Sequence, residues 1–455
     1  MQISQYADDA ILFLNNKNEY CTAITILNDF GKHAGTMINL KKCEGMWTGV
    51  DKQENGNIFG IKWPTSIKYL GVYLGHNKEA NLKSNWDEKI EHIKQTLMKW
   101  KQRNLTLFGK VQIIKTFALS KLALPASILP IPEGIICKIN SVLFDFIWGK
   151  HDKVNRKLVV QKLEKGGLNM KDIECHFNAM KAKWVDKIVN ADPNKELWAQ
   201  LPRHYLLKLG PFDVLFNMQL DKTSLFEKLK YMHPFYKEVL QSYSLFQCIS
   251  YEQFSDSIFQ QPLWGNKFIT YRKKQKKNVL YFSNWIKSGV RTIGDLIFNN
   301  GLLDTTHMLD KISFKQNLYT ELVIMTNALK PYKSLLSNEK RQHIDLPKCK
   351  GVLKCCDIYD KLMQSKYEKM PFKFNFITKY VELNDITISD IFQAKIVAQY
   401  NIKLKEFNLM MLYNIVSCNA NLLKWGKRND DKCDVCDERQ TISYTTVSMP
   451  RKYGV

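Results

Sequence analysis

Two adjacent aspartates close to the N-terminus are the side chains best suited to chemistry in this chain. Asp8 and Asp9 follow Tyr6-Ala7 and separate two short apolar segments. Neighbouring carboxylates are costly unless a cation offsets their charge. Because Mg²⁺ prefers a few carboxylate oxygens together with substrate phosphates, the pair suits a nucleotidyl-transfer site. Aspartates that only shape a turn remain an open alternative for these four residues.

A pair of thiols near the C-terminus is the second candidate site. Cys433 and Cys436 have the spacing of one half of a tetrahedral zinc site. No His or Cys nearby completes four ligands at finger-like spacing. We therefore expect an unmetallated thiol pair, with zinc unlikely.

The charge of the chain indicates a class of partner. Its 455 residues include 67 Lys and Arg against 44 Asp and Glu, a net charge of +23. Such an excess favours a polyanion, because each neutralised phosphate releases counterions. We therefore expect a protein that binds nucleic acid. The two alternatives are a Lys-rich protein without a polyanionic partner and, behind it, a protein that binds a membrane surface.

Several features predict a soluble, intracellular protein of the nucleus or cytoplasm. The 11 cysteines have no framework spacing and read as reduced thiols. The first five residues lack the basic and apolar regions of a signal peptide. The best candidate for a membrane span, around 119–131, contains Lys121, Pro125 and Pro130, so we expect no membrane-spanning segment.

The elements around the aspartates predict a sheet region over roughly 1–81. Residues 3–14 form a β-hairpin with Asp8 and Asp9 at its turn, because apolar residues alternate before the pair and run together after it. A helix follows that ends at Gly31 or Gly35. A second pair of strands is predicted at 37–43 and 67–74.

Helical periodicity begins at about residue 82. One apolar face comprises Trp86, Ile90, Ile93, Leu97 and Trp100, so the two tryptophans read as helix core. A second helix is capped by Thr106 and ended by proline at 125, 130 and 132. Its polar face carries Lys110, Lys115 and Lys121.

Further along, the pattern remains mostly helical. We predict a third helix through Ile139 and Ile147, a turn at Gly166-Gly167 and a solvated basic loop at 272–277. A last helix is predicted to place five residues on one side: Phe407, Met411, Cys418, Leu422 and Trp425.

Several segments, which follow one another along the chain in the family's order, resemble the reverse transcriptases of LINE-type (non-LTR) retrotransposons. Residues 5–13 resemble the metal-binding hairpin of the family's palm, and residues 35–43, a glycine followed by Asn-x-x-Lys, resemble its next palm motif. Residues 67–72 resemble the Tyr-Leu-Gly hairpin that grips the primer. Residues 109–122 resemble the thumb, and 146–148 with 166–168 resemble the region after it.

The resemblance implies roles for individual residues. Asp8 and Asp9 correspond to aspartates of a two-metal site that uses Mg²⁺, and Lys42 to a lysine near the leaving pyrophosphate. A plain surface lysine is an open alternative for Lys42. Tyr69, Leu70 and Gly71 would hold the primer, and the thumb lysines 110, 115 and 121 would contact the nucleic acid. RNA template, DNA primer and dNTP are the implied partners.

The chain also departs from the family's pattern. The family's first metal-binding aspartate, its fingers and its endonuclease lie upstream of the Asp-Asp hairpin, whereas five residues precede Tyr6 here. We therefore expect the C-terminal half of such an enzyme, unable to polymerise DNA alone. At the other end, Tyr444 and Met449 stand about where the family has the His and Cys that complete its zinc ligands. The change of character after Ser443 suggests a shifted reading frame.

The expected fold class is α+β, with a partial palm at 1–81, a helical thumb at 82–150, a mostly helical C-terminal region at 151–430 and a Cys-containing tail at 431–455. The partial palm sheet would keep an unpaired edge and a poorly covered face. Three hypotheses remain for function: an inactive part of a reverse transcriptase that still binds nucleic acid, an active reverse transcriptase whose upstream half is missing from the gene model, and a non-catalytic RNA- or DNA-binding protein derived from a retrotransposon.

Overall fold

The computed structural model describes most of the chain and divides it into two compact units. The units are Met1–Lys94 and Gln95–Val455. The described residues are 1–49, 56–58, 60–149, 151–192, 194–208, 210–215, 232–246, 258–273, 276–312, 317–338, 354–367, 388–434 and 436–439. Helices and short antiparallel strand pairs make the fold α+β, while the palm, thumb and tail boundaries stay predictions.

The described residues of the first unit form three hairpins, one helix and most of a second helix, which continues past Lys94. The predicted N-terminal hairpin is confirmed, with Tyr6 opposite Asp9 in its register. The strands are β1 (Gln2–Tyr6), β2 (Asp9–Phe13), β3 (Gly56–Ile58), β4 (Ile61–Trp63), β5 (Ser66–Tyr69) and β6 (Val72–Gly75), and the helices are α1 (Lys17–Ala34) and α2 (Lys78–Lys101). Consecutive strands pair antiparallel as β1–β2, β3–β4 and β5–β6.

The strand predicted at 37–43 is wrong. This segment turns back on itself through the hydrogen bonds from Lys42 N to Asn39 O and from Cys43 N to Leu40 O. The 67–74 segment instead pairs with itself, because the two residues Leu70 and Gly71 reverse the chain between β5 and β6. Closing so short a loop costs less conformational entropy than pairing with a distant strand.

Local capping defines α1. The Asn16 side chain accepts a hydrogen bond from Glu19 N and begins the helix, as expected for an N-cap asparagine. Gly35, at φ 66°, ends it in the left-handed conformation that glycine adopts without strain. Of the two predicted stops, Gly35 is therefore the one used.

The apolar face predicted for α2 is confirmed at most of its positions. Trp86, Ile93 and Leu97 are buried. Trp100 is only half-buried, with its ring 5.5 Å from that of Phe117.

The second unit is largely helical. Its longer helices are α3 (Leu107–Ile113), α4 (Ser120–Ile128), α5 (Ile135–Trp148), α6 (Arg156–Val159), α7 (Ile173–Asn190), α8 (Gln200–Leu207), α9 (Phe212–Leu215), α10 (Pro234–Phe246), α11 (Ser283–Lys287), α12 (Thr305–Lys311), α13 (Leu318–Leu329), α14 (Lys333–Asn338), α15 (Cys355–Tyr367), α16 (Ile388–Phe392), α17 (Ile402–Leu412) and α18 (Asn419–Lys424). Its strands are β7 (Thr270–Lys273), β8 (Lys276–Val279), β9 (Phe298–Asn299) and β10 (Leu302–Leu303), paired as β7–β8 and β9–β10.

The helix predicted from Thr106 is confirmed at its start and extends past the first proline. Thr106 accepts a hydrogen bond from Gly109 N and caps α3. A π-helical turn, Ile114–Leu119, joins α3 to α4, and Pro125 lies inside α4 rather than ending it. The helix ends at Ile128, just before Pro130. Leu107–Ile128 is thus one continuous helix, long and apolar enough by length and composition to cross a membrane. This contrasts with the expectation of no such segment, and it assigns no location to the chain.

Two other predictions in this unit need correction. The basic run at 272–277 is not simply a loop, because Arg272 and Lys277 pair in the β7–β8 hairpin; Lys274 and Gln275 lie outside the described residues. The single last helix is wrong as well. It divides into α17 and α18, since the chain leaves the helix at Asn414, whose φ is 55°.

The described residues between Cys175 and Met363 build one apolar core. Helices α7, α10 and α15 contribute to it together with the fully buried Trp264 and Trp285. Both indole nitrogens donate hydrogen bonds, to Val290 O at 2.8 Å and to a Glu321 carboxylate oxygen at 2.8 Å. The tight turn predicted at Gly166-Gly167 is confirmed, since a Cβ on Gly167 would lie 1.9 Å from Gln161 O.

The start of α7 is fixed by polar contacts with α15. Asp172 caps α7 by accepting from Cys175 N, and it also accepts a hydrogen bond from the Tyr367 hydroxyl at 2.6 Å. His176 packs edge-on against Tyr359, with 6.2 Å between ring centroids. Burial, reinforced by the charge of Lys171, lowers the pKa of His176 to about 4.

The stability of this unit should therefore depend on pH through His176. Its folded pKa lies below the value of about 6.5 expected for the unfolded chain, so the unfolded state binds more protons between pH 4 and 6.5. The contribution is complete above pH 6.5 and is lost as the pH falls toward 4. We expect His176→Gln to remove on the order of 2 kcal/mol of this acid dependence, measured by urea unfolding. His33→Gln, at an exposed position, is the control and should leave the dependence unchanged.

Candidate nucleic-acid and metal site

The Asp-Asp pair lies at the tip of the first hairpin. Ala7 and Asp8 form its two-residue turn, and Asp9 begins β2 opposite Tyr6. Ala7 has φ 52°, a left-handed conformation that costs a residue with a Cβ roughly 1 kcal/mol or more. The Gln5 side-chain amide donates to Ala7 O at 3.0 Å and supports the turn. Such strain motivates a functional hypothesis for the turn.

The carboxylates of this turn fit a hard divalent cation as part of a ligand set. Asp8 and Asp9 are both exposed, and they supply the oxygen ligands that Mg²⁺ prefers. Within the described residues, no group of three or more His, Cys, Asp or Glu side chains is arranged to hold a metal ion. The hairpin can therefore offer two carboxylates, which leaves positions for substrate phosphates and for a further carboxylate.

Lys42 lies in an exposed turn after α1. Its backbone nitrogen donates to Asn39 O at 2.9 Å. Across the described part of the first unit, no hydrogen bond or ion pair joins Lys42 to Asp8, Asp9 or Tyr69. The role of Lys42 near a leaving group stays a prediction.

The Tyr-Leu-Gly segment forms a tight hairpin. Leu70 and Gly71 have φ values of 48° and 77° and turn the chain between β5 and β6. Leu70 is exposed at the tip, with 37% of its surface accessible, and Tyr69 is half-buried. The hairpin thus presents an apolar tip on a fixed backbone.

A polar stripe on α2 holds this hairpin, and the sequence analysis missed it. Asn85 is buried and exchanges hydrogen bonds with the backbone of Tyr73, accepting from its nitrogen at 2.7 Å and donating to its oxygen at 2.9 Å. Ser66 donates to Asn81 at 2.8 Å, and Lys68 pairs with Glu88 at 2.7 Å. The signal was the helical spacing of positions 81, 85 and 88 beside the apolar face.

The three lysines predicted for a thumb, Lys110, Lys115 and Lys121, are half-buried. Lys110 donates to Ile147 O at 2.9 Å, near the end of α5, and burial lowers its pKa. Burial also lowers the pKa of Lys115, and Lys121 donates to the Thr96 hydroxyl at 3.2 Å. The ammonium groups of Lys110 and Lys121 therefore have contacts within the protein, and a role in nucleic-acid binding stays a prediction for all three lysines.

The C-terminal thiols lie in a compact turn. Cys433 N donates to Glu438 O at 2.7 Å, and Asp437 N donates to Cys433 O at 3.0 Å. The backbones of Lys432 and Arg439 pair in an isolated antiparallel β-bridge. Cys433 is half-buried and Cys436 is exposed. Tyr444 and Met449, expected at the positions of further ligands, lie outside the described residues.

Comparison with known proteins gives two matches. Residues 1–74 match the family model described as reverse transcriptase (RNA-dependent DNA polymerase). A Xenopus laevis protein described as transposon TX1 uncharacterized 149 kDa protein is 22% identical over 355 residues, which are 75% of this chain and 26% of that protein. The chain thus spans about a quarter of the length of this relative. The matched segment contains the Asp-Asp turn and most of the Tyr-Leu-Gly hairpin.

Proposed function

Because this chain carries a reverse transcriptase segment of the non-LTR retrotransposon type, we propose that it contributes a metal-binding hairpin and a primer-holding hairpin to an RNA-directed DNA polymerase. The observation that supports this most is the exposed Asp8-Asp9 pair at a two-residue hairpin turn within the matched segment. RNA template, DNA primer and dNTP are the proposed partners. By itself, the 455-residue polypeptide binds nucleic acid and does not polymerise.

Each proposed role follows from the chemistry of its side chain. Asp8 and Asp9 hold Mg²⁺, which when bound neutralises charge on the transferred phosphates. Lys42, exposed beyond α1, supplies a proton or a positive charge to the leaving pyrophosphate. Tyr69, Leu70 and Gly71 position the primer strand through the tip of the β5–β6 hairpin. In the complete polymerase, another palm strand would add a third carboxylate to this metal site.

A non-catalytic nucleic-acid-binding protein is the second candidate function. The net charge of +23 favours it, since binding to phosphates does not depend on the aspartates. The two candidates differ in one measurable property. A binding protein needs no metal at Asp8 and Asp9, so Asp8→Ala/Asp9→Ala should leave its binding unchanged. A polymerase segment should support primer extension when a polypeptide with the remaining palm and fingers is added, and it should lose that activity in the same double variant.

Binding of nucleic acid is expected to depend steeply on salt and weakly on sequence. If several phosphates are neutralised, the affinity for an RNA·DNA hybrid should fall roughly tenfold or more between 50 and 200 mM salt. Fluorescence anisotropy with a labelled hybrid measures this. Replacing Lys110, Lys115 and Lys121 with alanine should lower the slope, with thermal unfolding as the control because all three are half-buried. Salt-independent affinity, or no binding at low salt, would contradict the proposed binding.

Cys433 and Cys436 are expected not to hold zinc tightly. Two thiols provide half of a tetrahedral ligand set. Native mass spectrometry of the purified chain should show no firmly bound zinc. One zinc per chain that disappears in Cys433→Ser would prove this expectation wrong.

A further inference from the structure

We propose that α17, α18 and the loop before α6 form, with α3, a surface that binds single-stranded nucleic acid. We define this C-terminal lysine surface by four lysines and two aromatic rings: Lys110, Lys153, Lys405, Lys427, Phe108 and Trp425. It lies within the second unit and is distinct from the β5–β6 hairpin. The inference rests on the proposed binding of nucleic acid and names where and in what form a strand binds.

Direct contacts join the lysines to the rings. The Lys153 ammonium lies 4.4 Å from the centroid of the Trp425 ring, and the Lys405 ammonium lies 5.8 Å from that of Phe108. Lys153 and Lys427 are exposed, and both rings are half-exposed. The surface therefore alternates cations with aromatic faces that solvent can reach.

A carboxylate connects α17 to α3. Glu406, next to Lys405, accepts a hydrogen bond from Leu107 N at 2.6 Å, at the first turn of α3. An acidic group at this end of a helix is stabilised by the helix dipole and the free backbone N–H groups. The Glu406 charge is thus engaged by the helix, and its position fixes Lys405 beside Phe108.

Like charges are held close together on this surface. Burial, followed by repulsion from Lys427, lowers the pKa of Lys153. Burial is also the main cause of the lowered pKa of Lys110. The charges of Lys153 and Lys101 lower this pKa further, whereas the Glu406 carboxylate raises it. An anion placed between these groups would relieve the repulsion.

The four aspartates that follow α18 in the described residues are paired with other cations. Arg428 pairs with Asp430 and Asp434. Lys432 pairs with Asp437 at 3.2 Å, and Arg439 pairs with Asp431 at 2.7 Å. In the described part of the second unit, neither Lys153 nor Lys427 forms an ion pair. Their charges remain available to a ligand.

The combination of cations and rings favours a single strand over a duplex. Proteins that bind single strands line a basic groove with aromatic side chains on which unpaired bases stack. A duplex keeps its bases stacked inside and cannot place them on the rings, so we do not expect this surface to hold a duplex. Since Trp425 and Phe108 both keep accessible ring surface beside a lysine, we assign phosphate contacts to Lys153 and Lys427 and stacking to the rings.

The test compares paired variants of the full 455-residue chain by fluorescence anisotropy, with an unstructured 20-nucleotide RNA and a 20-base-pair RNA·DNA hybrid as probes. We expect Lys153→Ala/Lys427→Ala to weaken single-strand binding by about tenfold or more at 100 mM salt. The slope of log affinity against log salt should fall by about 1.4, since each phosphate contact with a single strand contributes about 0.7. Hybrid binding should change less than about twofold. Lys195→Ala/Lys330→Ala removes the same charge from exposed positions on other elements and should leave both affinities unchanged.

The ring contribution has its own variants. Trp425→Ala should weaken single-strand binding severalfold, and Trp425→Phe should retain most of it because a ring remains. Thermal unfolding of each variant verifies that the fold is retained.

Three results would overturn the inference: unchanged single-strand affinity in the Lys153/Lys427 variant, an equal loss for the hybrid, or an equal loss in the Lys195/Lys330 control. Failure of the proposed function looks different, since the unaltered chain would then bind neither probe. If the unaltered chain binds the hybrid alone, only the C-terminal lysine surface is refuted.

Discussion

Primer extension by the 455-residue polypeptide alone is expected to be undetectable on an RNA template with either Mg²⁺ or Mn²⁺. Phosphoryl transfer by two metals needs both ions held at the attacking and leaving oxygens, with the reactants positioned between them. The β1–β2 turn provides two exposed carboxylates, Asp8 and Asp9. A bridging carboxylate and a floor for the nucleotide have to come from other palm strands, so we expect these two to bind an ion weakly at most.

The measurement is incorporation of labelled dTTP on poly(rA) primed with oligo(dT). A second reaction adds a separate polypeptide that carries the fingers and the first palm aspartate of a related reverse transcriptase. Extension in that mixture should fall by about 100-fold or more in Asp8→Ala/Asp9→Ala, corresponding to the loss of about 2.7 kcal/mol of transition-state stabilisation. Extension by the intact chain alone that disappears in the same double variant would contradict the expectation.

The exposed apolar side chains of the first hairpin agree with this interpretation. Ile3, Tyr6 and Phe13 have 57%, 68% and 56% of their surfaces accessible, and among the described residues β1 and β2 pair only with each other. A two-stranded hairpin is marginally stable in water without a covering layer. The unpaired edges of such a hairpin are available for pairing with further strands, and the partial palm stays a prediction.

The parts of the fold that the sequence predicted are those with local causes. The first hairpin, α1 and α2 follow from alternation, an asparagine cap, a glycine stop and a repeating apolar face. The turn that carries Asp8 and Asp9 belongs to the same class, because neighbouring residues form it, whereas the role of the two carboxylates stays a prediction. Such signals need no knowledge of the tertiary structure.

The predictions that were wrong or missing depend on contacts between distant residues or on competing local signals. Apolar residues at 37–43 resembled a strand, yet Met37 is 96% exposed, and the segment is a turn. The apolar pattern of the last predicted helix continued across a break at Asn414. Asn85 looked like an ordinary polar position on α2, and its pairing with Tyr73 depends on where the hairpin packs. Periodicity alone does not specify any of these arrangements.

A buried lysine provides the clearest example of a contact hidden from the sequence. Lys181 on α7 is completely buried, and its ammonium donates to Leu129 O. It also lies 3.3 Å from a carboxylate oxygen of Glu238 on α10, while the other oxygen of Glu238 accepts from Ile131 N at 2.8 Å. The pair thus ties the segment between α4 and α5 to the main core. Burial lowers the pKa of Lys181 to about 8, although Glu238 opposes the shift.

Removing one member of this pair is expected to cost much more stability than removing the charge of both. Lys181→Met leaves the Glu238 carboxylate without its partner in a largely buried site and takes the donor from Leu129 O. The expected loss is about 3–5 kcal/mol in the free energy of unfolding, measured by urea titration. Glu238→Gln added to Lys181→Met should recover part of that loss, because a neutral amide oxygen still accepts from Ile131 N and no unpaired charge remains.

The double-variant cycle separates this effect from simple loss of packing. A favourable coupling free energy of at least about 1 kcal/mol between the two substitutions is expected, since the partners are in direct contact. Lys195→Met is the matched control: Lys195 pairs with Asp192 at 4.0 Å and its side chain is 84% exposed, so its replacement should change stability by less than about 1 kcal/mol. Purely additive effects of Lys181→Met and Glu238→Gln would mean that the two groups do not compensate each other, and that Lys181 stabilises the fold only through Leu129 and the aromatic ring of Phe235, 4.3 Å from its ammonium.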